Sequence, residues 1–106
     1  MIKIVNVKSY KKGDLIYIGR GCYGYKESVL CNQFKIGKDG DRDEVIWKYK
    51  RWIWKEYKKG GIVKDEVDKL VVRERRGELI VLGCWCFPES CHGDIIKKLV
   101  EYLVVV

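Results

Sequence analysis

The sequence predicts a small α/β sandwich whose elements run β-β-α-α-β-α, with a mostly parallel, buried sheet flanked by helices. Two observations carry this prediction. Leu79 to Gly83 reads LIVLG, a continuous apolar run of the kind found in strands covered on both faces. Such a strand needs packed layers on both sides, and the chain supplies three segments with apolar residues at helical spacing to form them.

The elements follow in order. Ile2 to Val7 (IKIVNV) is β-branched and apolar apart from Lys3 and Asn6, a short buried strand. Ser9 to Asp14 is turn-like, and Leu15 to Ile18 forms a second strand. Gly19, Gly21 and Gly24 then surround Arg20, Cys22, Tyr23 and Tyr25, where the backbone bends freely. Asp41 to Lys59 is the first helix: Val45, Ile46, Tyr49, Trp52, Ile53 and Tyr57 make one stripe, acids open it, and lysines close it ahead of Gly60. A second helix runs from about Lys64 to Arg76, with Val63, Val67, Leu70 and Val71 inward and Gly77 as its terminator. After the LIVLG strand, a last helix begins near Cys91 and turns Ile95, Ile96, Leu99 and Leu103 inward.

At 106 residues, with 47% hydrophobic and 35% charged residues and one proline, the chain is a single folded domain, neither disordered nor collagenous. It contains no apolar run of membrane-spanning length, and its first residues reach charge too early for a signal peptide, so a cytoplasmic location is expected. Twenty-two Lys and Arg against 15 Asp and Glu give a net charge of +7, which favours acidic partners, nucleic acid first. Ala and Thr are absent while Lys, Val, Ile and Tyr abound, a bias that fits an AT-rich genome or a thermophilic source.

Chemistry concentrates where the last strand meets the last helix, in Gly83-Cys84-Trp85-Cys86-Phe87-Pro88-Glu89-Ser90-Cys91-His92-Gly93-Asp94. Three of the five cysteines and the sole histidine fall within nine residues there. In open α/β sheets, ligands bind beyond the carboxyl ends of strands, against helix N-termini. Ser90 is the expected N-cap, which puts Cys91 in the first helical turn, where the helix dipole lowers a thiol's pKa.

With Ile18-Gly19-Arg20-Gly21 upstream, the run CWC-x-P-x-x-CHGD resembles the phage and prokaryotic family DUF4326. That family's pattern also holds an Asn in the first strand, an Asn-Pro-Phe after the glycine loop and an Arg opening the long helix. Asn6, Asn32-Gln33-Phe34 and Arg42 occupy those places, with Gln33 standing where the family has proline. The resemblance covers nearly the whole chain and implies one domain with a shared site; the family's activity is unknown, so it implies none here.

Zinc is the expected cofactor, since it binds thiolate and imidazole tetrahedrally and a structural site takes four ligands. Cys84, Cys86, Cys91 and His92 are the candidate ligands, with Cys22 or Cys31 as an alternative to His92. The competing readings are a disulfide from Cys91 to Cys84 or Cys86, a reactive Cys91 thiolate with His92 as its acid-base partner, and burial of the cysteines as small apolar residues. Arg20, Asn32 and Arg42 are candidate ligand-binding residues for a phosphorylated or nucleotide-like small molecule, because guanidinium holds such anions bidentately. The alternatives are a solvated loop and, for Arg42, simple balance of Asp41 and Asp43. On the long helix, Trp47 and Trp54 sit among Lys48, Lys50, Arg51 and Lys55 opposite the main stripe. That face offers either stacking to nucleic acid or, by preference, a homodimer interface or a doubly buried helix.

Overall fold

A computed structural model describes residues 1–106. Its elements are β1 (Ile2–Asn6), β2 (Ile16–Tyr17), α1 (Arg42–Lys59), α2 (Ile62–Arg75), β3 (Ile80–Cys84) and α3 (His92–Val105). The predicted order and fold class hold, and the sheet is parallel throughout in the order β1-β3-β2. The last strand in sequence is thus the middle one in space. Ile2 pairs with Ile80 and Asn6 with Cys84 on one side of it; Ile16 pairs with Leu82 and Tyr17 with Gly83 on the other. Ladder bonds continue past the strands, from Val7 N to Cys84 O and from Ile18 N to Gly83 O, both near 3.0 Å.

Alternation along β3 divides the interior. Ile80, Leu82 and Cys84 face the helices and join Ile2, Ile18, Tyr49, Ile53, Val67, Leu70, Ile96, Leu99 and Val100 in one core. On the other face, Val7 and Leu15 close over Gly83, whose added Cβ would lie 2.7 Å from Val7 Cγ1 and 2.8 Å from Leu15 Cδ1. Glycine at this position is therefore a packing requirement: the segment leaving β1 covers the second face of the strand by lying directly on its backbone.

The long helix starts as its charge pattern predicts. Asp41 is the N-cap, accepting from Glu44 N at 2.9 Å while the Glu44 carboxylate accepts from Asp41 N at 3.1 Å. Tyr49 is fully buried on its inner face and donates to Leu30 O at 2.6 Å, so its hydroxyl is satisfied inside the core. Helix α2 begins at Ile62, two residues before the expected Lys64, with Gly61 as an N-cap that has no side chain to contribute. Helix α3 begins at His92, so its N-cap is Cys91 and not the expected Ser90. The reason is a capping box one residue later: Asp94 at N3 accepts from Cys91 N at 3.2 Å, and Cys91 Sγ accepts from Gly93 N at 3.3 Å.

Candidate functional site

Beyond the carboxyl ends of β2 and β3 the chain leaves a cleft of about 360 Å³. Three stretches build it. The end of β2 and the glycine loop after it contribute Tyr17, Arg20 and Cys22; the end of β3 and the loop after it contribute Cys84, Trp85, Cys86 and Ser90; the cap and first residue of α3 contribute Cys91 and His92. Asn32, Phe34 and Ile36, with Arg42, Val45 and Ile46 of α1, make the remaining wall. All seven candidate residues therefore border one space, although their side chains do different things in it.

The loop after β3 is shaped by Asn6 at the end of β1. Its Nδ2 donates to Trp85 O at 3.1 Å and to Phe87 O at 2.9 Å, while its Oδ1 accepts from Lys8 N at 2.8 Å. A polar residue inside an apolar strand thus supplies two donors where the neighbouring strand runs out of ladder partners. The Phe87–Pro88 bond is cis.

Cys84 and Cys91 lie side by side, their sulfurs 3.2 Å apart and both residues buried. Cys84 is pulled down to about 6 because the Cys91 thiol donates to it; burial opposes this, and the backbone N–H groups of Phe87 and Cys86 assist it. Cys91 is pushed up from the ordinary thiol value by that same shared hydrogen bond, with burial adding to it. The expectation of a lowered Cys91 pKa is thus reversed. Its sulfur serves as the proton donor, and the thiolate character falls on Cys84. Cys86 is half-buried on the cleft wall, and Cys22 lies 3.4 Å from the Tyr17 hydroxyl.

His92 is buried, with Nε2 2.6 Å from Ile18 O and its ring edge-on to Tyr49 at 5.1 Å. Burial lowers its pKa, so the imidazole is neutral and donates through Nε2. That nitrogen is committed to the backbone. No three His, Cys, Asp or Glu side chains converge as a metal would require. Two sulfurs in contact and an imidazole turned to a carbonyl do not make the four-ligand set expected from Cys84, Cys86, Cys91 and His92.

The polar anchors are likewise partly engaged. Asn32 is a structural residue here: its Nδ2 donates to Val45 O at 3.3 Å, and its Oδ1 accepts from Phe34 N at 2.9 Å. Arg42 does not balance its acidic neighbours; it crosses the cleft mouth to Glu89 at 3.0 Å and Ser90 O at 2.9 Å. Arg20 donates from Nε to Asn32 O at 2.9 Å and from Nη2 to Phe34 O at 3.3 Å, so Nη1 keeps its donors free.

Sequence reasoning missed the role of Tyr17. Its hydroxyl donates to Arg20 O, accepts from Trp85 Nε1 at 2.9 Å and contacts Cys22 Sγ, joining the two loops. Burial and the contact with Cys22 push its pKa up to about 12. Tyr25 stacks on it at 4.4 Å, and Tyr23 and Tyr25 both meet Trp85 edge-on, an aromatic cluster beside the cleft. The signal was the density of aromatics around the glycines. Further along α1, Trp54 packs against Tyr102 at 5.3 Å, whereas Trp47 is 56% exposed beneath Arg51. Both still line one shallow groove with Lys50, Arg51 and Lys58, Trp54 by its half-buried edge and Trp47 by its exposed one.

No helix of the chain is long and apolar enough to cross a membrane. No solved structure matches the chain. An uncharacterised 12.4 kDa protein encoded in the nrdA-td intergenic region of Enterobacteria phage T4 is 39% identical over 69 residues. That alignment covers 64% of this chain and 57% of the phage protein's length. The family model for a domain of unknown function, DUF4326, matches residues 5–102, which include both glycine loop and cysteine motif; the chain belongs to that family.

Proposed function

We propose that the chain binds a small anionic, nucleotide-like molecule in the cleft between the glycine loop and the N-terminus of α3. The observation that carries this reading is the placement of Arg20, with free guanidinium donors, at the rim of a concave space beyond the carboxyl ends of parallel strands. Phe34, Ile36, Ile46 and Trp85 give that space apolar walls suited to a base or sugar, while Arg20 suits a phosphate. Arg42 adds positive charge at the mouth and loses its Glu89 partner only if a stronger anion replaces it. The cleft size falls within the range of small-ligand pockets. Reduced thiols in such a site suit a cytoplasmic setting.

Calorimetric titration with nucleoside mono- and diphosphates and with inorganic phosphate tests the reading. Binding of at least one of them is expected, and Arg20→Ala weakens it by roughly tenfold to a hundredfold, the effect of losing a charge-assisted bond. Absence of binding across the set, or an Arg20→Ala protein that binds as tightly, overturns it.

A second reading rests on a different surface. Trp47, Lys50, Arg51, Trp54 and Lys58 line a shallow groove on α1, aromatic and cationic together, as single-stranded nucleic acid favours. Binding there falls steeply with salt and drops in Trp47→Ala, which leaves cleft binding unchanged. A Trp47→Ala protein that changes only its oligomeric state places the groove in a homodimer.

A further inference from the structure

The Cys84–Cys91 pair lies at the boundary of the cleft, and anion binding at Arg20 makes no use of it. One sulfur terminates the central strand and the other caps the following helix, so rigid elements hold both. Their separation of 3.2 Å is about 1 Å longer than a disulfide bond. The backbone amides of Phe87 and Cys86 lie on the side of Cys84 that favours negative charge on its sulfur. The other three cysteines are all free thiols with no sulfur neighbour in hydrogen-bond contact.

We infer that Cys84 and Cys91 form a reversible dithiol–disulfide couple, oxidised by a small hydroperoxide that enters the cleft. In the first step the Cys84 thiolate attacks one peroxide oxygen. An S–O bond forms, the O–O bond breaks, and the departing hydroxide takes a proton to become water. Sulfur is oxidised and peroxide reduced by two electrons, leaving a sulfenic acid on Cys84. Cys91 then gives up its proton and attacks the Cys84 sulfur. The S–S bond forms, the S–O bond breaks, and the leaving hydroxide combines with that proton as a second water. Two thiols and one hydrogen peroxide become one disulfide and two waters. The neighbouring thiol is already in contact, so condensation outruns further oxidation of the sulfenic acid. A dithiol reductant reverses the process by thiol–disulfide exchange.

Hydroperoxide suits the site because both sulfurs are buried and face a cleft of only about 360 Å³, which admits a small oxidant far more readily than a bulky disulfide. The bond would close Trp85 to Ser90 into a ring, carrying cleft-lining Trp85 and Cys86 with it.

The test uses the full chain, reduced and freed of reductant, then treated at neutral pH with one equivalent of hydrogen peroxide. Free thiols are labelled with N-ethylmaleimide under denaturing conditions and counted by intact mass, and cross-linked peptides are mapped. The five labels of the reduced chain should fall by two, the linked peptides should contain Cys84 and Cys91, and dithiothreitol should restore all five. Cys86→Ser should lose two labels in the same way, which keeps the test independent of variants at the buried pair. Undiminished labelling, a link through Cys86, Cys22 or Cys31, or oxygen added at Cys84 without a cross-link each overturns the inference. None of these readouts depends on whether a nucleotide binds.

Discussion

His92 Nε2 lies 2.6 Å from the carbonyl oxygen of Ile18, tying the first turn of α3 to the backbone that leaves β2. The bond needs a proton on Nε2, and burial keeps the ring neutral by lowering its pKa against the opposing pull of that same bond. The folded protein therefore resists taking up a second imidazole proton, whereas the unfolded chain accepts one near pH 6.5. Stability attached to His92 is present above that pH and is lost as pH falls below it. Denaturant midpoints measured from pH 7 down to pH 5 should decline in the native sequence. His92→Gln should cost about 1–2 kcal/mol at pH 7 but show a flatter profile; an equally steep profile in the variant assigns the decline elsewhere.

Gly83→Ala should destabilise the fold by about 1–3 kcal/mol, because the new methyl group meets Val7 and Leu15 below 3.0 Å. Adding Leu15→Ala should recover part of that loss. A double-mutant cycle read by chemical denaturation checks it, and strict additivity would mean that the two side chains do not meet.

For Asn6 the prediction turns on donors. Asn6→Ala should cost about 1–3 kcal/mol by leaving the carbonyls of Trp85 and Phe87 unpaired. Asn6→Asp has the same shape but presents carboxylate oxygens to those carbonyls, so at neutral pH it should be at least as unstable as the alanine variant. Thermal melts of the three proteins decide this.

The thiol pair has its own pH signature. Cys84 is lowered to about 6 by the Cys91 hydrogen bond, so its thiolate contributes stability that is present above the free-thiol value of 9.0 and lost towards pH 6. Cys91 is raised, so its contribution is present below 9.0 and lost above it. Stability owed to the pair should climb from pH 6 to 9 and then fall. Peroxide consumption by the reduced chain should rise with a midpoint near pH 6, and Cys91→Val should move that midpoint upward.

Much of this was readable from the chain alone, for reasons that differ by element. Helix α1 declared itself through Asp41, Glu44 and the Val45-Tyr49-Ile53 stripe, since capping and periodicity are local. The LIVLG run placed β3 one residue early, because Cys84 is as well buried as any aliphatic residue there. The gathering of Cys84, Cys86, Cys91 and His92 near the glycine loop followed from a strand-to-helix junction at the sheet's carboxyl edge. What each group bonds to was not legible. His92 meets Ile18 and Arg42 meets Glu89 across separations of 74 and 47 residues, and only the folded chain sets such meetings. The Ser90 N-cap failed more narrowly, because Asp94 completes its capping box with Cys91.

The position of β3 has a kinetic consequence. Neither β1 nor β2 pairs with the other; each pairs with β3 alone, and the Ile2–Ile80 partnership spans most of the chain. A nascent polypeptide that has not yet produced Ile80 possesses no second strand for either to join, while α1 and α2 are adjacent and dock across the short Gly60–Gly61 link. Closing so long a loop is an entropic cost met late, so the helical hairpin should assemble early and the sheet should appear in one cooperative event at the end.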